Sequence, residues 1–327
     1  MPYRISILLV FLSCACALPS SAQSLVTTIP VSGTPYQIAV NPTLNRIYVS
    51  LSTSTGPAVG VIDGKTNKVV DTIPVTSSSN ILAVDQYTGR IYVPGCTYGQ
   101  EDTCYVQVID GKTDAITATI TFSTVQGFEA GIQGIAVDPI RNRIYLTDDN
   151  DFQIITINGK TNTVATRTPT DDQELLGVAV DYVSNEIVTA SSGYDIDIVS
   201  GTTDKINYVQ AGTGINQYVA VNSFTGRAYV TNQETSYSLP VVDLATRKQT
   251  ANIPLTGDPY DVAVDYVNNL VLVTLSDGTV AMFNGNTYAR LGSVAVPSSF
   301  VDVNPLTNLV YTSGILGSNV VNVISEK

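Results

Sequence analysis

Asp148, Asp149 and Asp151 fall in one polar stretch of this 327-residue chain, with Asn150 among them, and Asp171, Asp172 and Glu174 fall in the next. Six carboxylates brought together suit Ca2+, which takes about six to eight oxygen ligands in flexible geometry. They have no EF-hand spacing, so the same residues also read as a pair of solvated acidic loops. A second group is Tyr36, Asn80, Gln133, Gln217, Tyr260 and Asp261. Aromatic and amide groups around a concavity suit a sugar or a peptide; the plainer reading is that they begin strands and bond water. Cys96 and Cys104, eight residues apart, read as a disulfide closing a hairpin loop. Histidine is absent altogether. That excludes Ser-His-Asp and Cys-His triads, His-containing zinc or copper sites, a proximal haem His and an imidazole base.

The elements that must position these groups come from an internal repeat. The segment 38–50 reads IAVNPTLNRIYVS, and relatives of it recur as LAVDQYTGRIYVP, IAVDPIRNRIYLT, VAVDYVSNEIVTA, VAVNSFTGRAYVT, VAVDYVNNLVLVT and VDVNPLTNLVYTS. The first Ala of each falls at Ala39, Ala83, Ala136, Ala179, Ala220 and Ala263, and Asp302 takes the seventh place. A second signature, VIDGKTNKVVDTIPV at 61–75, is echoed as VIDGKTDAITATI and INGKTNTVATR. Each unit thus holds four short runs rich in Val, Ile, Thr and Tyr, parted by Asn-Pro, Thr-Gly, Asp-Gly and Asn-Gly turns. Four strands in about 40 residues is the period of a β-propeller blade. The expected fold is therefore all-β: one domain over 23–327, a seven-bladed β-propeller of four-stranded antiparallel blades.

In such a blade the first strand lies nearest the axis, where Ala fits the small volume, and Tyr48, Tyr92, Tyr145 and Tyr229 fall in the second strand as core. The seventh unit ends at Lys327 without an outermost strand, while residues 25–31, LVTTIPV, resemble the outer strand VVDTIPV. The N-terminal segment is thus expected to complete the last blade, leaving no long edge exposed. Turns between the first and second strands have one length in all seven units, whereas loops on the other face vary, which assigns specific function to the variable face. Positions three before each origin, Tyr36, Asn80, Gln133, Leu176, Gln217, Tyr260 and Ser299, should ring the channel mouth, with Asp261 one residue farther in. Asp302 either points into a wet channel as a harmless substitution or serves as a ligand.

The AVN or AVD, IYV and VIDGKT segments, with the letters YVTN at Tyr229, Val230, Thr231 and Asn232, resemble the repeat of YVTN-type propellers, close in layout to NHL and YncE-like propellers. The resemblance spans residues 24–327 and implies an exported or surface module that binds or adheres. One relative class resembles a single-stranded DNA binder. Propeller lactonases and lyases of this architecture depend on His, or on Glu and Asn metal ligands at the channel.

Arg4 and the apolar stretch 5–17 read as a secretory signal, with Ser20, Ser21 and Ala22 supplying small residues for cleavage before Gln23. The rival is a lipoprotein signal at Cys14, where Phe11 replaces the usual Leu. Without residues 1–22 the chain carries 15 Lys plus Arg against 28 Asp plus Glu, a net −13 that repels nucleic acid and anionic lipid. The expected protein is an exported, monomeric, non-catalytic scaffold that recognises a protein, peptide or glycan through its variable face. A Ca2+-dependent, lactonase-like hydrolase or lyase is the alternative, and single-strand nucleic-acid binding is opposed by the charge.

Overall fold

The computed structural model describes residues 23–76, 80–97, 103–123, 131–170, 174–233 and 237–327, so the signal read at 1–22 lies outside it. Every regular element among the described residues is a β-strand. They form seven four-stranded antiparallel sheets, six of them meanders of consecutive strands running outward from the axis. Blades 1 to 6 span 33–74, 83–123, 132–169, 175–210, 216–254 and 259–295. Blade 7 takes three strands from 298–325 and its outermost from the N-terminus. There Ser24–Pro30 pairs antiparallel with Val320–Ser325, Ile29 facing Val321. The ring is a β-propeller closed by its first strand, as the likeness of 25–31 to 69–75 predicts.

Two repeated turns explain why each unit folds alike. At the end of each innermost strand stands a buried Asn or Asp: Asn41, Asp85, Asp138, Asp181, Asn222, Asp265 and Asn304. Its side-chain oxygen accepts backbone N–H bonds from the turn ahead, as Asp85 Oδ1 does from Tyr87 and Thr88 at 2.9 and 3.0 Å. These Asx turns satisfy donors that a tight buried bend would orphan. The turn then closes on a left-handed residue, which is why Asn45 (φ 49°) and Gly89 (φ 74°) hold equivalent places. A second turn joins the third and outermost strands. A Cβ at its Gly64 would lie 2.3 Å from Asn45 Oδ1, so a side chain there needs Asn45 to move; in blade 5, where the facing turn closes on Gly226, Leu244 takes the same place.

Packing lies between blades. Tyr92, Val106, Val108, Ile120 and Phe122 of blade 2 pack on Ile135, Ile144, Leu146, Ile155 and Ile157 of blade 3, and the pattern repeats around the ring. Because sheets are buried on both faces, strands read as near-continuous apolar runs and charge is left to the turns. Tyr48, Tyr92, Tyr145, Tyr229 and Tyr311 are among the largest fully buried side chains. Cys96 and Cys104 form a disulfide. They lie one residue from the facing ends of the strands Arg90–Thr97 and Thr103–Asp110, directly opposite one another, so the bond closes the hairpin as the sequence suggests.

Candidate functional site

The innermost strands of all seven blades line a central channel of about 270 Å3. Its upper end opens into a cavity of about 470 Å3 whose wall includes Tyr36, Asn80, Gln133, Gln217, Tyr260 and Ser299. Six of the seven positions three residues before the repeat origin thus meet in one concavity. Leu176 is not in its wall; its carbonyl instead accepts the Thr147 hydroxyl at 2.6 Å. The repeat count missed Tyr218 and Phe300, which join the wall as an edge-to-face pair with centroids 5.8 Å apart. Their signal was present one column farther in, where blades 3 and 4 have Gly134 and Gly177. Among the described residues no Lys or Arg lines this cavity.

Several wall residues are held in place. Gln217 accepts from the Gln233 amide, which also donates to the Pro259 carbonyl at 2.7 Å. Gln133 donates to Asp149 Oδ2 at 2.9 Å. One member of the acidic stretch therefore orients a residue of the cavity wall. The other two are occupied nearby: Gln153 Nε2 donates to Asp148 Oδ2 and to Asp151 Oδ2, both at 2.9 Å. Burial raises the carboxyls of Asp148 and Asp149 above the usual range, with Gln153 and Gln133 respectively opposing the rise. Among the described residues no three Asp, Glu, Cys or His side chains are grouped to hold a metal ion. Asp171 and Asp172 lie outside the described residues, so the full six-carboxylate set expected from the sequence is not on view.

Below the mouth, side chains bridge the blade seams to inner-edge amides. Gln37 Oε1 accepts from Leu82 N at 3.0 Å, joining blades 1 and 2. Asp261 Oδ2 accepts from Val301 N at 2.9 Å, joining blades 6 and 7. Asp302 Oδ2 accepts from Val40 N at 2.7 Å, joining blade 7 to blade 1. Each carboxylate also takes the N–H of its following residue through Oδ1. Inner-strand edges carry unpaired donors because nothing lies inside them, and these acceptors meet three of them. Burial pushes Asp261 up to about 7 against its two N–H bonds, with the Asp302 charge adding to the rise. Burial likewise pushes Asp302 up to about 6. The Tyr218 phenol is pushed upward by burial first and then by Asp261.

The opposite end of the molecule also differs from a plain scaffold. At one equivalent place in the uniform turns stand Tyr87, Ile140, Val183, Phe224, Val267 and Leu306, all between 55% and 66% exposed. Tyr182, Phe224 and Tyr266 form an aromatic chain on that face.

No protein-family model matches the chain, and no curated protein matches it. The assignment to the β-propeller fold therefore stands on the seven sheets and their closure.

Proposed function

We propose that this is an exported YVTN-type propeller that acts as a binding scaffold, taking a peptide or glycan segment in the cavity at the channel mouth. The observation that carries the reading is the convergence of Tyr36, Tyr260, Tyr218 and Phe300 with the amides of Asn80, Gln133 and Gln217 around one 470 Å3 concavity. That volume falls in the range of ligand sites, and aromatic faces with a few fixed amides suit uncharged polar segments. A wall without Lys or Arg above the Asp261 carboxyl disfavours phosphate and nucleic-acid backbones. Export is supported by the disulfide, which persists in oxidising compartments. Among the described residues no helix is long and apolar enough to cross a membrane.

The test is a glycan array and an immobilised peptide library probed with the wild type and with Tyr36→Ala/Tyr260→Ala. Both tyrosines are partly exposed, so the double variant should fold and melt as the wild type does. The expected result is one retained ligand class whose affinity falls at least about tenfold in the variant, the loss of roughly 1.4 kcal/mol. Retention that ignores both substitutions, or no retained class at all, removes the proposal.

A further inference from the structure

The seam between blades 3 and 4 differs from its sisters. In register, the third strands offer the column Val61, Val108, Thr156, Ile198, Val241, Met282 and Val323. The outermost strands offer Ile73, Ile120, Thr168, Val209, Ile253, Val294 and Ile29. Blade 3 alone is polar in both columns. At this seam there is a cavity of about 430 Å3, lined by Thr156, Thr166 and Thr168 together with Arg143 and Tyr145. Threonine is close to valine in size, so the substitutions change the polarity of the wall far more than its volume.

The groups that close other seams do not meet here. Arg46 of blade 1 donates to Gly111 O at 3.1 Å and pairs with Asp114 of blade 2 at 2.7 Å, and Tyr48 donates to the same carbonyl. Arg143 and Asp204 hold the matching positions, and both line the cavity, yet they form none of the ion pairs among the described residues. Tyr145 is 1% exposed, and its buried phenol oxygen has no well-formed hydrogen bond, with the Arg143 guanidinium as a charged neighbour. Tyr92 and Tyr311 share that condition, so it is the conjunction with the threonines and Arg143 that singles out this place. Arg141 is occupied, donating to Asp138 Oδ2 and Tyr182 O.

We infer that this seam is a second binding site, for a small hydroxylated oxyanion such as a sugar acid or a sugar phosphate. Arg143 supplies a forked cation for the oxyanion, and Tyr145 and the threonine hydroxyls supply donors along the buried wall. The volume is that of a small-molecule site. The pocket is bounded by the uniform turns of blades 3 and 4, so it is separate from the cavity at the channel mouth and independent of the function proposed there.

Isothermal titration of the full exported protein with glucuronate, glucose 6-phosphate, inorganic phosphate and methyl glucoside tests the assignment. Binding of one or both sugar acids, with methyl glucoside silent, is expected, and the two acidic arms tell carboxylate from phosphate. Arg143→Gln should weaken that binding at least about tenfold, as loss of a charge-assisted bond does. Thr156→Val/Thr168→Val restores the apolar columns of the other blades; it should lose binding while melting at or above the wild-type temperature. Asp204→Asn should tighten binding by removing a competing carboxylate, and it keeps the test open if the threonine variant misfolds. Silence of every acidic probe, equal binding of methyl glucoside, or binding indifferent to all three variants overturns the inference.

Discussion

Asp302 shows how one side chain can be both a seam and a liability. Its carboxylate caps the Val40 amide across the closing seam, yet burial raises its pKa to about 6. Asp261 follows at about 7 and Glu326 at about 8, burial leading in both, with Asp265 adding to the rise at Glu326. An acid whose folded pKa lies above its unfolded value of about 4 binds more protons folded than unfolded, so its contribution to stability falls as pH rises through that interval. Asp63, Asp110 and Asp243 act in the opposite sense. Backbone N–H groups, with the adjoining threonine hydroxyls helping, hold them below the usual range, and what they contribute is lost on further acidification. The melting temperature is therefore expected to peak near pH 4 to 5 and to decline toward pH 8. Asp302→Ala, which installs the residue that six blades already have, should make the decline shallower. Melts scanned across that range check both statements, and a profile that rises steadily to pH 8 contradicts them. The sequence marks Asp302 as an exception, but its partner lies 262 residues away, beyond the reach of any local pattern.

Between elements, one pair of repeat positions does the same task by different chemistry at three of the seams. The first residue of a second strand meets the left-handed residue of the next blade's outer turn. In blades 1 and 2 these are Arg46 and Asp114, an ion pair. In blades 5 and 6 they are Arg227 and Tyr288, with the guanidinium 5.5 Å from the ring centroid. In blades 4 and 5 the charges are exchanged: Glu186 stands in the strand and Arg247 in the turn, joined by two hydrogen bonds. Such exchange distinguishes a blade's proper neighbour from the other repeats, since Arg46-type strands would repel the Arg247 turn. Glu186→Arg and Arg247→Glu are each expected to cost about 1 kcal/mol, because the pair is partly solvated, and the double variant should recover most of the loss. A double-mutant cycle by urea unfolding measures this; additive losses would show that the pair is not coupled.

For the molecule as a whole, closure is the decisive contact. Ile29 of the N-terminal strand is 2% exposed and packs in one cluster with Ile38, Val40, Ile47, Val321 and Val323, spanning blades 7 and 1. Ile29→Ala is expected to cost about 2 to 4 kcal/mol, like a substitution in any blade interior, and deletion of 25–31 should lower the melting temperature sharply. Calorimetry that finds either change neutral would mean the ring does not fold as a closed unit. Seven blades, the buried tyrosines, the closing strand and most of the mouth were legible in the sequence, because turn chemistry and strand alternation act within a unit of about 40 residues and repeat along the chain. The Asp302 cap, the exchanged Glu186 and Arg247, and the polar cavity between blades 3 and 4 were not. Each forms where the faces or edges of two sheets meet, and their alignment is set by packing around a closed ring, so it becomes definite only in the assembled propeller.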